Sequence, residues 1–141
     1  MALSIFQNQG KYLMLAFDHR ESFKKYINPA DPTKATEEDL IKVKGMVISA
    51  LEDQFSGVLL DVDWGLSAYA SLRRGEAGSQ LKSYLLPLEK SGYTDSEGDR
   101  TTELEYTAKQ LKDLGASGTK LLLYFNPEAR NCEKQLATAK Q

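Results

Sequence analysis

Short apolar runs alternate along the chain with amphipathic or polar stretches. Four of the runs have the length and composition of buried strands. Reading from the N-terminus, they are KYLMLAF (11–17), GVLLDVD (57–63), SYLLPLE (83–89) and GTKLLLYF (118–125). Pro87 makes the third the least secure, because proline donates no backbone hydrogen bond.

The clearest helix is predicted from Thr36 to Phe55. Thr36 is a favourable N-cap, and three acidic residues follow it at the positive end of the helix dipole. Apolar residues recur every three or four positions and predict a single buried face. That face consists of Leu40, Val43, Val47, Leu51 and Phe55.

Three further helices are predicted after the second, third and fourth strands. The first is a weak helical stretch that contains Gly75 and Gly78. The second covers 101–115, with Gly115 at the position where a glycine commonly ends a helix. The third begins at Asn126 and Pro127, a favourable cap and first residue. Apolar faces are predicted at Leu104, Ala108 and Leu111 in the second helix, and at Ala129, Cys132, Leu136 and Ala139 in the third.

The strand–helix order, repeated about four times, predicts the α/β class. Continuous apolar strands that alternate with helices are typical of a parallel sheet covered by helices. No linker or low-complexity segment divides residues 1–141, so the sequence predicts one structural unit.

Composition excludes several partner classes. The chain has 41% hydrophobic and 27% charged residues and a net charge of -2, without the basic block typical of nucleic-acid binding. Its apolar runs are far shorter than the roughly 20 residues of a membrane span. The single cysteine, Cys132, fits a reducing cytoplasm. The sequence therefore predicts a cytoplasmic protein with neither nucleic-acid nor membrane partners.

Charged residues follow the first three predicted strands. Asp18, His19 and Arg20 follow the first strand, Asp61 and Asp63 end the second, and Glu89 and Lys90 end the third. In parallel α/β folds, functional residues collect at the carboxyl ends of strands. We therefore expect Asp18, Asp61 and Glu89 to lie at one end of the sheet and to face a common cleft.

Lys120 lies near the start of the fourth predicted strand. Alternation along a strand puts it on the same face as Leu122 and Tyr124. A lysine in a mostly apolar setting requires a partner carboxylate, so we expect one beside Lys120.

Structural interpretations of these residues remain open. Asp18 could cap the following segment, and the only histidine, His19, could be a hydrogen-bonded structural residue. Asp61 and Asp63 could be turn residues, and Trp64 and Cys132 could belong to the core.

The motifs narrow the possible chemistry. One histidine and one cysteine cannot build the usual three-ligand catalytic zinc site. The segment after the first strand has neither dinucleotide nor P-loop spacing, and no G-x-S-x-G motif is present. We expect neither a metal nor a cofactor, which leaves acid/base or imine chemistry by Asp, Glu, Lys and Arg.

Five motifs in order resemble a known family. They are LAFDHRES, VLLDVDWG, LEKSGY, TELEYTAKQLKDLGA and TKLLLYFNPEARN. They resemble the class I aldolases of the tagatose 1,6-bisphosphate aldolase type, which include sulfofructose-phosphate aldolases. The resemblance covers nearly all of the chain from about Tyr12. One departure is DVDWG, where many members have DPEYG.

The resemblance implies a (β/α)8 barrel that cleaves a phosphorylated ketose through a lysine imine. It assigns catalytic roles to Asp18 and Lys120, and substrate-binding roles to His19, Arg20 and Glu89. About four strand–helix units correspond to the N-terminal half of such a barrel. The family's imine-forming lysine lies on the sixth strand, with a supporting glutamate on the fifth. We therefore expect this chain to stop before the nucleophile and to be inactive alone.

Two alternatives remain beside a partial aldolase. One is a non-catalytic half-barrel that binds a sugar phosphate or a protein partner. The other is an independent α/β domain whose likeness to aldolases is only architectural. In a partial aldolase or in a non-catalytic half-barrel, the open sheet edge would favour self-association.

Overall fold

The computed structural model describes residues 3–75, 82–92, 94–96 and 99–140 and has an α/β fold. Its parallel sheet has four strands, in the order β3 (Met14–Phe17), β4 (Gly57–Leu60), β5 (Ser83–Pro87) and β8 (Gly118–Lys120), and helices flank it. This confirms the predicted fold class and is consistent with half of a (β/α)8 barrel. The strands are β1 (Gln7–Asn8), β2 (Lys11–Tyr12), β3 (Met14–Phe17), β4 (Gly57–Leu60), β5 (Ser83–Pro87), β6 (Thr94–Ser96), β7 (Asp99–Thr101) and β8 (Gly118–Lys120). The α-helices are α1 (Glu21–Ile27), α2 (Glu37–Ala50), α3 (Gly65–Gly75), α4 (Ala108–Asp113) and α5 (Cys132–Ala139).

The chain divides into two compact units, Met1–Leu86 and Pro87–Gln141. In the first unit, β3 and β4 pair in parallel from Met14 opposite Gly57 to Phe17 opposite Leu60. Strand β4 also pairs in parallel with β5, with Val58 opposite Tyr84. The described helices include none that is long and apolar enough to cross a membrane.

The first predicted strand is divided in two. Lys11–Tyr12 forms an antiparallel pair with β1, and the parallel strand begins only at Met14. Between them, the Leu13 amide donates to Ser56 Oγ (2.9 Å), and the Leu13 carbonyl accepts from the Ser56 amide (2.7 Å). This exchange with Ser56 replaces regular pairing at that position.

Helix α2 begins where the sequence predicts. Thr36 is its N-cap in a capping box, in which Thr36 Oγ1 accepts from the Asp39 amide and Asp39 accepts from the Thr36 amide. A hydrogen bond from the Thr36 hydroxyl is the main cause that holds the pKa of Asp39 below its ordinary value of 3.8. The predicted buried face is partly wrong, because Val43 and Val47 are only half-buried.

The deepest face of α2 contains a charged residue. Leu40, Lys44 and Ile48 are each no more than 1% exposed and follow one another at four-residue spacing. The predicted extension of α2 to Phe55 is also wrong, since the helix ends at Ala50 and a short 3-10 turn follows.

The second unit differs more from the sequence predictions. The helix predicted over 101–115 is confined to Ala108–Asp113, where Thr107 forms a second capping box with Gln110. Upstream, residues 99–101 pair with 94–96 in an antiparallel hairpin, and Leu104 bridges to Glu89. The hairpin and this bridge override the local helical pattern. Gly115 has the positive φ (90°) predicted for it.

The fourth strand is shorter than predicted. It ends at Lys120, and residues 121–126 have no regular secondary structure. Beyond Lys120, hydrogen bonds to the Thr102 side chain replace those of a paired strand. The Thr102 hydroxyl donates to the Leu122 carbonyl (2.7 Å) and accepts from the Tyr124 amide (3.1 Å).

Helix α5 begins five residues after the predicted start, at Cys132 instead of Pro127. Asn126 instead accepts from the Glu128 amide (3.0 Å) within the preceding turn. The predicted apolar stripe is also wrong, because Leu136 is exposed and Gln135 is only 2% exposed. Gln135 Oε1 accepts from the Asn126 amide (2.8 Å), and its Nε2 donates to the Arg100 carbonyl (2.9 Å).

Candidate active site

The Asp18–Arg20 segment follows the carboxyl end of β3, as predicted. Asp18 is half-buried, His19 is exposed and Arg20 is only 8% exposed. The N-cap position of α1 belongs to Arg20 rather than to Asp18. Arg20 Nε lies 3.9 Å from Asp63 Oδ2, so it joins this segment to the loop that follows β4.

Asp61 follows the end of β4, but its carboxylate is fully buried. Oδ1 accepts from the amides of Trp64 (2.7 Å) and Gly65 (3.1 Å), at the N-terminus of α3. Oδ2 lies 2.7 Å from Lys44 Nζ. The expectation that Asp61 faces a common cleft is therefore wrong, because its carboxylate is fully buried. These partners compensate the cost of burying it.

Lys44 is the main residue that the sequence interpretation missed. Its side chain is fully buried, and Nζ contacts Asp61 together with the carbonyl oxygens of Phe17 (3.2 Å) and His19 (2.8 Å). The signal was present in the sequence, since Lys44 lies midway between Leu40 and Ile48 at helical spacing. A lysine at that position of an apolar face predicts a buried partner.

Aromatic rings surround the Lys44 ammonium. Nζ lies 4.5 Å from the ring centroid of Phe17 and 4.9 Å from that of Phe23. These two rings pack edge to face, with centroids 5.3 Å apart. Cation–π attraction strengthens when the cation is removed from water, as it is here.

In the second unit, Lys120 forms an ion pair with Glu89. This confirms the predicted carboxylate partner. The side chain of Glu89 is 7% exposed and that of Lys120 is 27% exposed, so the ion pair is only partly buried. Glu89 Oε2 also accepts from the Leu122 amide (3.2 Å), which fixes the carboxylate.

Two other residues from the predicted motifs, Gly78 and Tyr93, lie outside the described residues. Across the described part of the chain, no group of three or more His, Cys, Asp or Glu side chains could hold a metal ion.

A parallel α/β fold with ionisable residues after its strands is the arrangement typical of α/β enzymes. No family model matches the chain. Curated relatives do match it, among them proteins named tagatose 1,6-diphosphate aldolase from Staphylococcus aureus strains JH9, Newman and N315. Each is 32% identical over 121 residues, which cover 84% of this chain and 35% of the relative.

The chain is similar over most of its length to proteins named tagatose 1,6-diphosphate aldolase, which confirms the resemblance carried by its motifs. It spans about a third of the length of the curated relatives it matches.

Proposed function

We propose that the chain forms part of a class I aldolase that cleaves a phosphorylated ketose, such as tagatose 1,6-bisphosphate, through a lysine imine. The observation that carries this proposal is the match to the tagatose 1,6-diphosphate aldolases over 84% of the chain. Its partner would be a small sugar phosphate. A cytoplasmic location and self-association through the sheet edge stay predictions.

We assign Asp18 and Lys120 to catalysis. Cleavage of a carbon–carbon bond next to a carbinol requires a group that removes the hydroxyl proton, and a carboxylate such as Asp18 can do this. An amine must be unprotonated to attack a carbonyl. Because the Lys120 ammonium is paired with Glu89, we assign it proton transfer or substrate orientation and not imine formation.

We assign His19, Arg20 and Glu89 to substrate binding. His19 is exposed and can reach a solute, whereas Arg20 is nearly buried and directed by Asp63. Guanidinium and imidazole groups both suit phosphate or hydroxyl recognition. Glu89 contributes by holding the Lys120 ammonium in place.

The test is borohydride reduction in the presence of dihydroxyacetone phosphate, followed by mass mapping of modified lysines. We expect no stoichiometric adduct and no turnover from the 141 residues alone. We expect an adduct when the chain is fused to the remaining part of a curated relative, on a lysine in that added part. Removal of Lys120 by Lys120→Met should lower turnover of the fusion at least tenfold.

Lys112→Met is the matched control, because Lys112 is exposed and lies in the same unit. It should leave turnover unchanged. A stoichiometric adduct on Lys120 with turnover would show that the nucleophile is misassigned. A correctly folded fusion that neither forms an adduct nor cleaves ketose bisphosphates would favour a non-catalytic binding protein.

A further inference from the structure

We propose that Lys44 is a positioning residue that fixes the backbone on both sides of Asp18. This inference rests on the proposed function where it treats Asp18 as catalytic. The contacts that define it lie entirely within the first unit.

The ammonium group of Lys44 has all three of its N–H donors matched by acceptors. A lysine side chain offers three donors. Nζ lies 2.8 Å from the His19 carbonyl oxygen, 3.2 Å from that of Phe17 and 2.7 Å from Asp61 Oδ2. With every donor used and no exposure, the ammonium has little freedom to move.

Neutralising Asp61 would require only one of these contacts. The other two go to carbonyl groups of residues 17 and 19, which bracket Asp18 directly. They therefore restrain the peptide group that precedes Asp18 and the one between His19 and Arg20, so the backbone is held on both sides of Asp18. Hydrogen bonds to a charged donor are stronger than neutral ones, which suits this restraint.

The restraint extends to a second element. The carboxylate that binds Lys44 also accepts from the Trp64 and Gly65 amides at the start of α3. Lys44 thus joins the ends of β3 and β4 from within α2. In the proposed aldolase, this would keep Asp18 in place without contact between Lys44 and the substrate.

The only histidine of the chain provides a local reporter. Because His19 is the only histidine, its imidazole signals in an NMR spectrum can be assigned directly. Its carbonyl accepts from Lys44, so these signals report on the segment that Lys44 contacts. A second reporter is the Phe23 amide, which donates to the Arg20 carbonyl (2.8 Å) at the end of the same segment.

Three variants separate positioning from charge neutralisation. Lys44→Met removes the ammonium and leaves Asp61 buried without its cation. Lys44→Met/Asp61→Asn removes both charges and keeps an acceptor for the α3 amides. Lys42→Met is the matched control, since Lys42 is an exposed lysine of the same helix.

We expect Lys44→Met to fold poorly and the double variant to regain thermal stability. In the double variant, Phe23 should still exchange its amide hydrogen at least about tenfold faster than in the unmodified chain, because two charge-assisted bonds are lost. The His19 signals should also shift. Lys42→Met should match the unmodified chain in both measurements.

A double variant with the original His19 signals and Phe23 exchange rate would overturn the proposal, because Lys44 would then only neutralise Asp61. If neither variant folds, the unmodified chain decides the question after ¹⁵N labelling of its lysines. The Lys44 ammonium protons should exchange slowly with water and show contacts to the Phe17 ring. Exchange as fast as at Lys42 would contradict the proposal.

Dihydroxyacetone phosphate separates this inference from the proposed function. Its addition should shift the His19 signals of the unmodified chain. The same shift in the double variant should require at least about tenfold more dihydroxyacetone phosphate. No response in the unmodified chain would count against the proposed function. The exchange contrast at Phe23 would still decide the role of Lys44.

Discussion

Replacement of Gln135 by leucine should destabilise the second unit, although it puts an apolar side chain at a buried position. Gln135 is 2% exposed and satisfies two backbone groups, the Asn126 amide and the Arg100 carbonyl. Its Nε2 also donates to Asn131 Oδ1 (2.9 Å). Gln135→Leu would remove all three hydrogen bonds.

The cost follows from the groups left without partners. A buried donor or acceptor without a partner costs roughly 1–3 kcal/mol. Both backbone bonds are only partly buried, so the lower part of this range applies to each. The sum is a loss of about 2 kcal/mol in the free energy of unfolding.

Urea unfolding followed by circular dichroism measures this loss. With a typical dependence of about 2 kcal/mol per molar urea, the midpoint should fall by about 1 M. Lys134→Leu is the matched control on the same helix, because Lys134 is exposed and should change stability by less than about 0.5 kcal/mol. A Gln135→Leu midpoint equal to that of the control would refute the reasoning.

Two further stability predictions concern the first unit. Thr36→Ala should cost about 1 kcal/mol in urea unfolding at neutral pH. Because the pKa of Asp39 is lowered in the folded state, the stability from its carboxylate bond to Thr36 is present above pH 3.8 and is lost as pH falls through the folded-state pKa. The bond from the Asp39 amide to Thr36 Oγ1 does not depend on that protonation, so the difference between the two chains should narrow without vanishing. An equal difference at neutral and at acid pH would contradict this. Gly57→Ala should cost about 1–3 kcal/mol by the same assay, because the added Cβ would lie 2.7 Å from Phe6 Cδ1. A Cβ added at Gly45 would meet no atom within 4 Å, so Gly45→Ala should stabilise α2. Equal effects of the two substitutions would argue against a steric cause.

Local signals in the sequence were sufficient for the order of the four parallel strands and of helices α2 to α5, and for some of their ends, but not for α1 or for the short antiparallel pairs. Thr36 begins α2 as predicted because its capping box uses only residues 36–39. Gly115 has its predicted positive φ because only the local backbone determines it.

Predictions failed where distant groups override local preference. The first part of the helix predicted over 101–115 does not form, because 99–101 pairs with 94–96 and Leu104 bridges to Glu89. The last strand ends early because Thr102 binds the backbone of Leu122 and Tyr124. Glu89 and Thr102 lie outside any short window around the segments that they bind.

The candidate site shows the same division. The family motifs predict roles for Asp18, which follows β3, and for Lys120, the last residue of β8. Lys44 lies in a helix far along the chain from the segment it holds, and its partners belong to two different strand ends. Its role became visible only once the fold had brought those ends together.

The buried Lys44–Asp61 pair also has a consequence for folding kinetics. The Thr36 capping box can form as soon as α2 begins, whereas Lys44 can leave water without a large cost only after both strand ends have assembled around it. Removing a charge from water is costly until its partners are in place. Contacts that form after the rate-limiting step slow unfolding without accelerating folding. The pair should therefore act mainly as a kinetic barrier to unfolding, and the cap should act mainly on the folding rate.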